Sequence, residues 1–135
     1  MMRHRPTAAE YFAQIASGEE EFFEEEFFIV KGNFLDDFYS AGNEERIRMV
    51  KTPIPRSLVT AETTQYAAYF AAMVEYLCWE YHLPQPSWVQ DSLYRLPKPW
   101  FLYENWRFRA WQLVMTPPAF VSRNIFTGDD PVSRV

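Results

Sequence analysis

The chain has 135 residues, 48% of them hydrophobic and 19% aromatic, with a formal net charge of −5; that much apolar material in one domain's length excludes global disorder. A single cysteine, Cys78, excludes an internal disulfide. MMRHRPTAAEYF lacks the apolar core of a leader and no run is long enough to span a bilayer, so the sequence reads as a soluble cytoplasmic protein.

Charge is segregated along the chain. Residues 10–45 hold eleven acids and one base, Lys31, whereas residues 46–135 hold seven acids and ten bases. Such asymmetry bears on partners and solubility rather than on fold.

In chain order, Thr7-Ala8-Ala9-Glu10 has the pattern of a capping box and predicts a short helix over 8–16. Ser17-Gly18-Glu19-Glu20 offers a second box. Then comes EEEFFEEEFF at 19–28, a five-residue word said twice. Phe23, Phe27, Val30, Phe34, Phe38 and Ala41 recur at spacings of 4, 3, 4, 4 and 3, the stripe of an amphipathic helix rather than of an acidic tail. Phe28, Leu35 and Tyr39 widen the stripe, and Gly32-Asn33 divides the helix into pieces at 19–31 and 33–41. Asn43 is expected to cap a helix over 44–51 that ends before Pro53.

The longest helical pattern covers 60–82. Tyr66, Phe70, Met73, Leu77 and Tyr81 form its main face, flanked by Ala67, Val74 and Cys78, while Ala61, Ala68, Ala72, Glu75 and Trp79 lie opposite. Small residues on its back let neighbours approach from two sides, which makes it the central helix. Residues 83–103, with four prolines, read as an ordered, proline-shaped arm packed through Trp88, Leu93, Leu96, Trp100 and Phe101. A helix over 104–116 uses Trp106, Ala110, Leu113 and Val114, and Pro118 starts a last short helix to Arg123. No strand stands out. The expected fold is all-α: a single domain, 1–135, of five to six helices around the 60–82 helix.

Chemistry-bearing residues are few. Cys78 and His82 are helix neighbours at i, i+4 and could form a nucleophilic or metal-ligating pair, but the only other histidine is His4, and an ordinary buried cysteine is the favoured reading. Glu75, among Ala68, Ala72 and Trp79, is a buried-acid candidate: either a general acid or base, or half of an ion pair with Arg107 or Arg46, the latter favoured. The exposed acids Glu20, Glu21, Glu24 and Glu25 either hold a basic partner or keep a phenylalanine-rich helix in solution. Arg107, Arg109, Arg123 and Arg134 among aromatics are a weak nucleic-acid signal in an acidic protein. Phosphate-loop, dinucleotide, HExxH and GxSxG motifs are absent, and no cofactor, metal or catalytic residue is expected.

Three phrases carry a resemblance: EYLCWEYHLPQPSWV at 75–89, LPKPWF at 96–101 and TPPAFVSRNIFTGDDPVSRV at 116–135. They resemble a loosely defined set of small bacterial helical proteins with a PxW … PWF … PxxFxxRNIF plan, over residues 34–135. Some members look paired with nucleotidyltransferase-like toxins, and some carry an N-terminal helix-turn-helix that this chain lacks. The resemblance implies a non-enzymatic, antitoxin-like protein with a protein partner. On its matched positions, Trp88, Trp100, Phe101, Phe120, Arg123 and Asn124 are interface candidates, with an architectural role as the competing reading. Self-association stays open. The competing function is a small-ligand binder or enzyme with a pocket near Glu75, Cys78 and His82.

Overall fold

The structure, a computed structural model, describes residues 4–133. Its first helix, α1 (Ala8–Ala16), starts at the anticipated capping box. The Thr7 hydroxyl accepts from the Glu10 N–H at 3.1 Å, and the Glu10 carboxylate accepts from the Thr7 N–H at 3.0 Å. Two N–H groups that the helix leaves unpaired are thereby satisfied. The second box does not form. Ser17 keeps right-handed helical angles as the end of α1, and its hydroxyl donates back to the Gln14 carbonyl. A 3₁₀ turn at Glu20–Phe22 leads instead into α2 (Phe23–Ser40).

The repeated EEEFF word resolves into one helix face. Phe23, Phe27, Val30, Phe34 and Phe38 are buried, while Phe22, Phe28 and Ile29 are exposed. A five-residue repeat advances about 500° on a helix, so the two copies cannot present the same residues to the core. One ring of each pair goes in and the other stays out. The helix is continuous through Gly32-Asn33, contrary to the expected break. Glycine costs about 1 kcal/mol in a helix interior, and the buried phenylalanines on both sides outweigh it.

The third helix, α3 (Asn43–Lys51), begins one residue earlier than expected, with Gly42 rather than Asn43 at the cap position. Asn43 instead accepts from Arg46 Nη1 at 3.2 Å. Arg46 also donates to the Phe38 and Tyr39 carbonyls at 2.9 and 3.0 Å, satisfying the C-terminal end of α2. Its guanidinium lies 4.3 Å from the Tyr81 ring centre, which ties α2, α3 and the end of the next helix together.

That helix, α4 (Thr64–Glu80), is the central one. Tyr66 through Val74, Leu77 and Cys78 are all buried. Thr63 closes the turn before it, accepting from the Thr60 N–H and donating to the Leu58 carbonyl, each at 2.8 Å. At the far end His82 takes φ +55°, a left-handed residue that turns the chain out of the helix. Phe12, Phe34 and Phe70 form edge and tilted contacts across α1, α2 and α4.

Residues 83–103 pack as the expected arm. Two 3₁₀ turns, Ser87–Gln90 and Ser92–Tyr94, lie against α4. Beyond them a short ladder appears where no strand was expected: β1 (Trp100–Phe101) pairs in parallel with β2 (Ile125–Phe126). Phe101 stacks on Phe126 with ring centres 4.9 Å apart. Two-residue strands are too short to show alternation in sequence. The remaining elements are α5 (Arg109–Met115), entered through a 3₁₀ turn at Trp106–Phe108, and α6 (Pro118–Val121). Among the described residues, six α-helices and one two-residue ladder make the architecture all-α, and no helix is long and apolar enough to cross a membrane.

Candidate functional site

Two features stand apart from the core: a cleft at the end of α4 and an exposed ridge built by residues 103–115. The cleft, about 550 Å³, is lined by Glu75, Tyr76 and Trp79 of α4, Gln85 and Gln90 of the arm, and Pro118 and Ala119 at the start of α6. Glu75 is half-buried and ion-paired, but with neither anticipated arginine. Its partner is Arg123, with Nη2 3.2 Å from Oε1 and only 4% of the side chain exposed. Arg107 is exposed on the 3₁₀ turn before α5, and Arg46 is committed to the end of α2.

Arg123 is held from three sides. Its guanidinium donates to the Ala119 carbonyl at 2.6 Å, to the Val89 carbonyl at 2.5 Å and to Glu75. These contacts join α6, the arm and α4 around one buried charge. Gln90 donates to Glu75 Oε1 at 2.5 Å, and Gln85 donates to the Glu75 backbone carbonyl at 2.9 Å.

Cys78 and His82 do not join this cleft. Cys78 is buried, and burial pushes its thiol up to about 11. His82 sits exposed on the left-handed residue after α4. A thiol without water access or a nearby base is a poor nucleophile. Ellman's reagent at pH 8 should therefore leave native Cys78 unmodified over a time in which the urea-unfolded chain reacts completely; rapid native reaction would contradict this burial. Among the described residues no group of three or more histidine, cysteine, aspartate or glutamate side chains could hold a metal ion.

The other residues singled out from sequence are mostly turned inward. The Trp88 indole donates to the Val50 carbonyl at 2.9 Å, and Trp100 packs on Phe27, Tyr66 and Tyr69. Phe120 is fully buried against Tyr69. Phe101 is half-buried, with the Arg109 guanidinium 4.3 Å above its ring. Asn124, at φ +68°, donates to the Leu96 carbonyl at 3.1 Å. Glu20, Glu21, Glu24 and Glu25 all lie in solvent. Arg134 lies outside the described residues.

The ridge is the feature that residue patterns placed wrongly. Trp106, Ala110, Leu113 and Val114, the residues that the expected 104–116 helix uses, are all exposed, Trp106 at 75% and Val114 at 77%. Gln112 is the buried residue of α5. Its carboxamide donates to the Tyr103 carbonyl at 2.9 Å and accepts from the Tyr103 N–H at 3.0 Å, replacing a strand-like pairing. Thr116 completes the base. Its hydroxyl accepts from the N–H groups of Thr127 and Gly128, each at 2.9 Å, and donates to the Gln112 carbonyl. Gly128, at φ +85°, lies flat against Trp111, where an added Cβ would fall 2.2 Å from the indole ring; only glycine fits.

The ridge is thus anchored by the polar contacts of Gln112 and Thr116 and carries exposed apolar side chains. Tyr103, Trp106, Phe108, Leu113, Val114 and Met115 are all exposed, with Arg107 and Arg109 between them. Comparison with protein-family models, with curated proteins and with solved structures finds no match. The site must therefore be read from its own chemistry.

Proposed function

We propose that this chain is a non-enzymatic, cytoplasmic protein-interaction protein whose ridge at 103–115 docks a protein partner. One observation carries the reading: a short helix buries its glutamine and bares its leucine, valine and methionine. Burying a side chain of that size contributes about 2 kcal/mol, so leaving six about half exposed or more on 13 residues forgoes a sizeable part of that stabilisation. So many exposed apolar side chains on one short segment point to an interaction site, and tryptophan with arginine is the usual composition of their energetic centres. The base contacts of Gln112 and Thr116 hold the ridge in shape, which lowers the ordering cost of docking.

The partner's chemistry follows from charge. The exposed carboxylates Glu20, Glu21, Glu24 and Glu25 head α2, whose Phe27 touches Trp100 in the strand leading into the ridge. The partner is a protein with an apolar patch for the ridge, acidic groups for its Arg107 and Arg109, and basic groups where it meets the α2 carboxylates. The acids steer its approach, and the ridge supplies the adhesion. A basic, nucleotidyltransferase-type toxin with this chain as its antitoxin fits that description and agrees with the PxW … PWF … PxxFxxRNIF resemblance.

Affinity capture from source cells tests the reading with three baits: wild type, Trp106→Ser/Val114→Ser, and lysine replacements of the four glutamates. One stoichiometric protein should come down with wild type and be lost from the ridge variant, with recovery reduced for the lysine variant. All three should unfold at similar temperatures, because the changed residues are exposed. The same protein recovered equally on all baits would refute the proposal. Recovery of a second copy of this chain alone would turn it into self-association.

A further inference from the structure

The cleft beside Glu75 has a chemistry of its own, independent of the ridge. Its apolar lining comes from Tyr76, Trp79, Pro118 and Ala119. Trp79 is 70% exposed although it sits on the most buried helix of the fold. Its ring centre lies 6.2 Å from that of Tyr76, and both rings line the cleft.

The polar groups of the cleft point to one sign of charge. Gln85 and Gln90 turn their amide nitrogens to Glu75, which leaves their carbonyl oxygens as acceptors. Glu75 holds Arg123 and Gln90 through Oε1, and its second carboxylate oxygen remains an acceptor. Glu75, Tyr76 and Trp79 also occupy the last six residues of α4, the negative end of the helix dipole. Arg123 offsets one charge, but its side chain is almost wholly buried and does not line the cleft, with its donors committed to Ala119, Val89 and Glu75. A ligand entering the cleft meets aromatic faces and oxygen acceptors.

We propose that the cleft binds a guanidinium group, stacked on Trp79 and forked toward Glu75 and the glutamine oxygens. A planar cation satisfies both requirements at once, since it stacks on an indole face and donates in its own plane. The volume accommodates an arginine side chain with its neighbouring backbone. Free arginine and an arginine carried by a polypeptide share this chemistry.

Calorimetric titration of the full chain separates them. The probes are N-acetyl-arginine methylamide, free arginine, and the neutral isostere N-acetyl-citrulline methylamide. The arginine probe should bind saturably, and citrulline at least about tenfold more weakly, the scale of a lost charge-assisted contact. A blocked probe that outperforms free arginine assigns the site to a polypeptide, and the reverse assigns it to the amino acid; either supports the proposal. Trp79→Ala, at an exposed position that leaves the core intact, should lose about tenfold, and Glu75→Gln should lose the preference for arginine over citrulline. Absence of saturable binding up to about 10 mM, equal affinity for arginine and citrulline, or an unchanged Trp79→Ala would overturn it.

Discussion

Phe27→Ala should lower the unfolding free energy by about 4 kcal/mol, a drop in midpoint temperature on the order of 12 °C for a chain of this size. Phe27 is fully buried and joins three elements. Its ring centre lies 5.0 Å from both Tyr66 and Tyr69 on α4 and 6.0 Å from Trp100 on β1. Truncation leaves a cavity that these large rings cannot close without leaving their own contacts. Phe28→Ala, one residue along and exposed, should cost less than about 1 kcal/mol. Urea unfolding of the two variants checks the register of α2 directly. Equal losses would mean that the helix does not present the face described.

Arg123→Leu should cost about 3 kcal/mol or more. The leucine fills part of the volume but leaves the Ala119 and Val89 carbonyls without their donor, and a half-buried Glu75 without its cation. An unsatisfied buried acceptor costs about 1–3 kcal/mol, and removing one partner of a buried pair strands the other. Glu75→Gln should cost less, at about 2 kcal/mol, because a carboxamide oxygen can still accept from Arg123 and Gln90, although the buried guanidinium loses its counter-ion. Chemical denaturation of both variants measures this asymmetry. A Glu75→Gln loss as large as that of Arg123→Leu would mean that the carboxylate, and not the two carbonyls, holds the guanidinium in place.

Local rules made much of the frame legible in sequence. The Thr7–Glu10 box marked the start of α1, and the 4-3-4-4 spacing of Phe23 to Phe38 marked the buried face of α2, because both are set within one turn or one helix. The centrality of α4 followed from alanines on the side opposite its aromatics. Long-range events were not legible. Nothing near Glu75 in sequence points to Arg123, 48 residues away, and a two-residue ladder has no period. The polar hook of Gln112 on Tyr103 inverted the expected face of α5, since periodicity says which residues share a side and not which side the fold covers. Glycine at 32 was read as a break because propensity is local, whereas the packing that overrides it comes from neighbouring elements. The two candidate surfaces depend on these long-range contacts. The cleft needs α4, the arm and α6 together, and the ridge needs its base at Thr116 and Gly128.

The same distinction explains the EEEFFEEEFF word. Its phenylalanines divide between core and solvent, and its glutamates keep the exposed ones compatible with water. That accounts for its composition without a ligand. Its proposed share in docking rests on the contact of Phe27 with Trp100 in the strand that leads into the ridge.

The proposed docking surface at 103–115 is tested by the affinity of the captured partner for the purified chain. Titrated side by side, wild type should bind at least about a hundredfold more tightly than Trp106→Ser/Val114→Ser, the scale of removing two central apolar anchors, while both proteins melt within a few degrees of each other. Affinities within about threefold would contradict the claim and move the interface off the ridge.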